Sequence, residues 1–207
     1  MIPILFIFSA TAPVFAFFVW LIAHRALIKQ NNSKSKRVSI VIALVLLSWF
    51  SLVTVLSKTR FFAVNPLFAP NLFLGFLLLF ELLRRALFSQ TIQKIAATSP
   101  MVFLIAIQTY RIVGVVFLTL YAQNLLPAAF AIPAGLGDII VGVSAPFVAT
   151  IYYLKKPYAR RLAIIWNYLG IADLVVAIGA GMLAFPKPTQ FLQTTPSTEL
   201  LALSPLA

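Results

Sequence analysis

Residues 128–154 read AAFAIPAGLGDIIVGVSAPFVATIYYL, a run whose one charged side chain is Asp138. About 20 consecutive apolar residues in a helix cross a hydrocarbon core ~30 Å thick, and this run is long enough to do so. Comparable runs occupy residues 2–27, 38–57, 67–88, 101–126 and 162–185. The chain that contains them has 207 residues, 62% hydrophobic and only 10% charged, with mean hydropathy +1.02. Soluble domains are nearer half apolar and a quarter charged, so too few charges remain to cover a water-facing surface. The expected fold is an all-α integral membrane protein, a bundle of six transmembrane helices forming one domain over residues 1–185. Residues 186–207, with Pro186, Pro188, Pro196 and Pro205, are expected as a loose extracytoplasmic tail.

The charges orient this bundle. Arg25, Lys29, Lys34, Lys36 and Arg37 fall in the first connection, Arg84, Arg85 and Lys94 in the third, Lys155, Lys156, Arg160 and Arg161 in the fifth. Lys58, Arg60 and Lys187 fall on the other side. Cytoplasmic loops keep the positive excess, so the odd connections are expected in the cytoplasm and both termini outside, in the plasma (inner) membrane. The net charge of +12 is then a topology signal. Split over three loops, it suits anionic lipid headgroups and not a nucleic acid, which needs one basic face. A homo-oligomer or a partner membrane subunit is compatible with such a surface.

Composition narrows the chemistry further. Without cysteine there is no disulfide, iron–sulfur cluster or thiolate nucleophile, and the single His24 excludes a multi-histidine metal cage. No lysine lies within a span, so a retinal Schiff base is not expected, and no cofactor or metal is called for. The first run, beginning at residue 2 without a basic leader, reads as an uncleaved helix. Ser99-Pro100 reads as an N-cap and first helical proline for the fourth span. Pro127 and Pro133 bracket the entry to the fifth, so regular helix is expected there only from Pro133.

Three charged residues lie deep within spans, away from their ends, where charge is costly and usually functional: Arg111, Asp138 and Asp173. Glu81, followed by Arg84 and Arg85, reads as an interfacial ion pair. The aspartates sit in a repeated pattern. Gly135-Leu-Gly-Asp138-Ile-Ile-Val-Gly142-Val-Ser-Ala145 matches Gly170-Ile-Ala-Asp173-Leu-Val-Val-Ala177-Ile-Gly-Ala180 by residue class. Each aspartate lies on a stripe of small residues, Ala131, Gly135, Gly142, Ala145 and Ala149 in one case and Gly170, Ala177 and Gly181 in the other. Such stripes bring helices close. Because the two spans are antiparallel neighbours, the repeat is inverted, as at the midplane sites of many transporters.

Depth is counted at ~1.5 Å per residue, which puts Asp173 roughly 17 Å from Leu162, Arg111 roughly 15 Å from Met101 and Asp138 about 24 Å from Leu154. On this count Arg111 pairs with Asp173, while Asp138 stands apart and nearer the outer face. Gln108 shares the face of Arg111, and Asn167, about a turn and a half before Asp173, joins the cluster only from an adjoining face. One arginine against two aspartates leaves a formal −1, and an unpaired buried carboxylate must hold a proton, bind a cation or face water.

Gly135-Leu136-Gly137-Asp138 resembles the Gly-x-Gly-Asp motif of the intramembrane aspartyl proteases, the presenilin, signal-peptide-peptidase and prepilin-peptidase group. The resemblance implies that Asp138 and Asp173 share a proton and activate water. It covers four residues. The Tyr-Asp of the presenilin type is absent, the motif helix precedes its partner, and no Pro-Ala-Leu follows. Two functions are therefore set against one another: a small-solute or ion/proton-coupled transporter using Asp138, Asp173, Arg111, Gln108 and Asn167, and a di-aspartyl hydrolase. A non-catalytic membrane assembly subunit is the third.

Overall fold

A computed structural model describes residues 2–29, 35–59, 61, 70–186 and 195–202. Among these the chain is helical, with no strand. Helix α1 spans Ile2–Lys29, α2 Ser35–Lys58, α3 Pro70–Phe88 and α4 Gln90–Thr98. Then come α5, Met101–Ala106, a 3₁₀ stretch at Ile107–Gly114, and α6, Val115–Ala122. The long helices α7, Ala128–Tyr153, and α8, Ala159–Leu183, follow, and a short 3₁₀ turn at Thr198–Ala202 ends the described chain.

Four helical stretches of the described residues are long and apolar enough to cross a membrane: Lys36–Lys58, Met101–Ala122, Ala128–Tyr153 and Ala159–Leu183. Their outer surfaces carry large exposed apolar side chains such as Leu44, Leu52, Ile140, Phe147, Leu169 and Val175. Bilayer lipid is the solvent these faces fit.

Helix α7 is the centre of the molecule, packed against α5, the 3₁₀ stretch, α6 and α8. Its small-residue stripe decides this. Ala131, Gly135, Gly142, Ala145 and Ala149 are all buried, and their lack of bulk lets neighbouring backbones approach. Two apolar clusters form along the helix. Ile105, Val141, Ala145, Val148, Ala149 and Trp166 make one, and Val116, Leu120, Leu126, Phe130, Ala131 and Ala134 the other. Helices α1 and α2 pair with each other, and α1 meets α4 through Ala23, Ala26, Leu27 and Ile95, with Val38 and Ile42 of α2 packed against this cluster.

Both ends of the α6–α7–α8 hairpins are set by Schellman motifs. After α6, Asn124 takes φ 55°, its amide donates to the Tyr121 carbonyl at 2.8 Å, and the Leu125 amide reaches the Leu120 carbonyl at 2.9 Å. After α7, Lys155 takes φ 51°, its amide donates to Tyr152 at 3.1 Å and that of Lys156 to Ile151 at 3.4 Å. These bonds use helix-end carbonyls that would otherwise lack partners.

Several local expectations change. Regular helix in α7 begins at Ala128, not Pro133: Pro127 is the N-cap, and its carbonyl accepts from Phe130 and Ala131 at 3.1 and 2.9 Å. Pro133 lies inside the helix. Proline there removes one hydrogen bond, while an apolar surrounding makes every other backbone bond obligatory. Helix α8 starts at Ala159, three residues before Leu162. Ser99 ends α4, and Pro100 takes the N-cap place of α5, so the expected pair shifts by one residue. The connection before it is a helix, with the Ser89 hydroxyl capping the Ile92 amide at 3.4 Å. The described part of the tail is docked, not loose. The Thr198 amide donates to Ala184 at 3.1 Å and its hydroxyl to Gly181 at 2.7 Å, while Leu200 and Leu201 pack on the second cluster.

Candidate functional site: an arginine held by two aspartates

Between the two apolar clusters, α7 carries Asp138, α8 carries Asp173 and the 3₁₀ stretch carries Arg111. The structure brings these three side chains together. Arg111 Nε donates to Asp138 Oδ1 at 2.6 Å, Nη2 donates to Asp173 Oδ2, and Nη1 donates to the Gly170 carbonyl at 3.1 Å. All three guanidinium nitrogens are used, and three elements converge on one residue. The arginine side chain is 10% exposed, Asp173 13% and Asp138 24%. Asp138 is thus the most open member.

Each carboxylate keeps one oxygen that accepts nothing from the described residues: Asp138 Oδ2 and Asp173 Oδ1. With all three groups ionised the cluster carries a formal −1. This layer lies between the two apolar clusters.

Glycines make the convergence possible. A methyl group at Gly137 would coincide with the Asp173 carboxylate, and one at Gly114 would overlap the Asp138 side chain. At Gly142 it would lie 2.6 Å from the Ile112 amide nitrogen, and at Gly170 3.1 Å from Arg111 Nη1. In this chain the Gly-x-Gly-Asp quartet is therefore a seat: its second glycine is the space that the partner aspartate fills. The Gly170 carbonyl is a third acceptor that sequence reading did not assign. Its signal was present in the small-residue stripe one turn before Asp173.

The depth count put the two aspartates in different layers, and this is corrected. With α7 ending at Tyr153 and α8 starting at Ala159, Asp138 lies about 22 Å and Asp173 about 21 Å from their inner helix ends. The three residues gained at the start of α8 and the one lost at the end of α7 bring the two depths to within about 1–2 Å. Arg111 is itself carried deeper, because 3₁₀ backbone rises ~2.0 Å per residue against ~1.5 Å in an α-helix. Asp138 is accordingly not the unpaired carboxylate; Arg111 serves both.

The two flanking polar residues stand apart. Asn167 is exposed on α8, and Gln108, half-buried in the 3₁₀ stretch, makes no hydrogen bond to the cluster. The inverted repeat is not reproduced in the contacts either. Asp173 rests on Gly137, whereas Asp138 rests on Gly114, and Ala172, the counterpart of Gly137, is exposed. Trp166 joins α8 to α7 by donating from Nε1 to Ser144 Oγ at 2.7 Å. Glu81 is engaged by Arg84 and Arg85 at 2.6 and 2.8 Å. His24 stacks on Trp20 and meets Ser39 at 3.2 Å. Among the described residues no group of three or more His, Cys, Asp or Glu is placed to hold a metal.

No curated protein and no solved structure matches this chain. A family model does match over residues 67–203, a stretch that includes Arg111, Asp138, Asp173 and all the glycines around them. The chain belongs to the family of the domain of unknown function DUF8737.

Proposed function

We propose that this protein is a small ion- or proton-coupled permeation protein of the plasma (inner) membrane, with the Arg111–Asp138–Asp173 cluster as its exchange site. The observation that carries this reading is the charge deficit: one buried guanidinium spans two carboxylates, each with one oxygen to spare. Taking up one proton or monovalent cation makes the cluster neutral, and releasing it restores −1. Asp138, the more open carboxylate, is the group that exchanges, and the Arg111–Asp173 pair is its counter-charge. A 3₁₀ stretch inside a membrane helix is a common place for a hinge, and Arg111 rides on one.

In the membrane we place six spans, α1 and α3 joining the four stretches already named, with both termini outside. The basic α1–α2, α3–α5 and α7–α8 connections then face the cytoplasm. The hydrolase alternative is less favoured, because a proton-sharing dyad has no guanidinium donating to each carboxylate. A static clamp for an assembly subunit is the second reading, supported by the full use of all three guanidinium nitrogens.

Reconstitution into liposomes containing a pH-sensitive dye separates the two. The intact chain is expected to dissipate an imposed proton gradient. Asp138→Asn, which mimics the neutral cluster and keeps the Arg111–Asp173 bridge, is expected to fold and lose the flux. Identical traces would leave the clamp.

A further inference from the structure

Helix α1 meets the helices beside it at two places, one on the 3₁₀ stretch and one on α4. Phe15 and Tyr110 meet with ring centroids 5.0 Å apart, and Ala26 and Leu27 close on Ile95 of α4. Between these contacts a groove of about 530 Å³ opens, within the ~300–1,000 Å³ typical of small-molecule clefts. Its walls are apolar, with Phe18 and Ile22 on one side and Phe103 and Ile107 on the other. At one end the lining changes to Arg25 and Lys29, one turn apart at the close of α1. Arg25 lies over the Phe103 ring, 5.9 Å from its centroid, which holds a positive charge at the mouth.

Among the described residues no acidic side chain answers those two cations. Glu81 is engaged by Arg84 and Arg85, and Asp138 and Asp173 by Arg111. Glu199 belongs to the segment docked on the ends of α7 and α8 where Gly181 and Ala184 lie. The occupant must bring its own negative charge at one end and apolar length behind it.

We propose that the groove binds an anionic glycerophospholipid of the surrounding bilayer, its phosphate on Arg25 and Lys29 and one acyl chain between α1 and the 3₁₀ stretch. From Arg25 to Val14 the groove runs about 16 Å, the depth of one leaflet of a ~30 Å hydrocarbon core. Arginine pairs bidentately with phosphate oxygens and lysine adds a point charge. A free phosphate matches only the mouth. A helix from a second copy matches the walls, but a chain with four acids against sixteen Lys and Arg has none to spare for the mouth. The site lies on a different face of the 3₁₀ stretch from the charge cluster: Tyr110 lines the groove, and Arg111 next to it holds the aspartates.

The test is thermal unfolding of the delipidated full chain in a non-ionic detergent, titrated with palmitoyl-oleoyl phosphatidylglycerol, the matching phosphatidylcholine, or glycerol phosphate. Phosphatidylglycerol alone is expected to raise Tm saturably. Arg25→Gln with Lys29→Gln is expected to weaken its apparent affinity about 25-fold, roughly a factor of five per cation, while Lys155→Gln with Lys156→Gln leaves it unchanged. Val14→Trp puts bulk into the groove from a 53% exposed position and is expected to weaken binding without altering charge; it decides the matter should the double change fail to fold. Equal shifts from the two lipids, a full shift from glycerol phosphate, or equal losses in the two double variants would overturn the proposal. A dimer broken by Val14→Trp with no lipid preference would give the groove to a second copy.

Discussion

Arg111 donates from every guanidinium nitrogen to α7 or α8, so removing it strands two carboxylates at once. Breaking a buried ion pair from one side costs about 3–5 kcal/mol, and removing all its members together often costs far less. Arg111→Met should therefore destabilise the protein by that amount in detergent unfolding. Adding Asp138→Asn and Asp173→Asn should recover at least half; equal damage from single and triple changes would separate the residues energetically. Glycine gives a second test. Gly137→Ala should cost about 2–4 kcal/mol through overpacking against Asp173. Gly179→Ala, with nothing within 4 Å of an added methyl, should be neutral or gain up to about 1 kcal/mol from helix propensity. The sequence marked Arg111, Asp138 and Asp173 because charge inside an apolar run is conspicuous. The seat at Gly137 was not legible, since a glycine's role depends on which atom of another helix arrives there.

Helices were legible wherever the apolar run alone fixes them, as in α7, and less so at their ends, where caps decide. The three residues by which α8 outruns its apolar run include Arg160 and Arg161, helical although polar, and that extension moved Asp173 into register with Asp138. The 3₁₀ stretch at Ile107–Gly114 left no mark in the hydrophobic pattern. It lies where the α7 backbone approaches Ile112 at Gly142, a contact between helices that a sequence pattern does not carry. The Schellman turn after α7 places a lysine at φ 51°, a conformation costing a non-glycine residue roughly 1–2 kcal/mol. Lys155→Gly should raise stability by about 1 kcal/mol in thermal unfolding, whereas a lower Tm would mean that its side chain is needed at that turn.

Across the whole molecule, twelve of the sixteen Lys and Arg fall in or beside three connections, and two apolar clusters enclose one ionic layer. The orientation proposed from this division is checked by tags. A tag at residue 90 or 158 should be shielded in intact cells and one at the C-terminus exposed. If the cluster is an exchange site, its formal −1 between apolar clusters should be relieved by one proton at Asp138. Infrared difference spectroscopy of the protein in lipid, on acidification, reads this directly. A protonated-carboxyl band is expected that is absent in Asp138→Asn and retained in Asp173→Asn; a band surviving in Asp138→Asn, or none in the intact chain, would mean that Asp138 does not take up the proton.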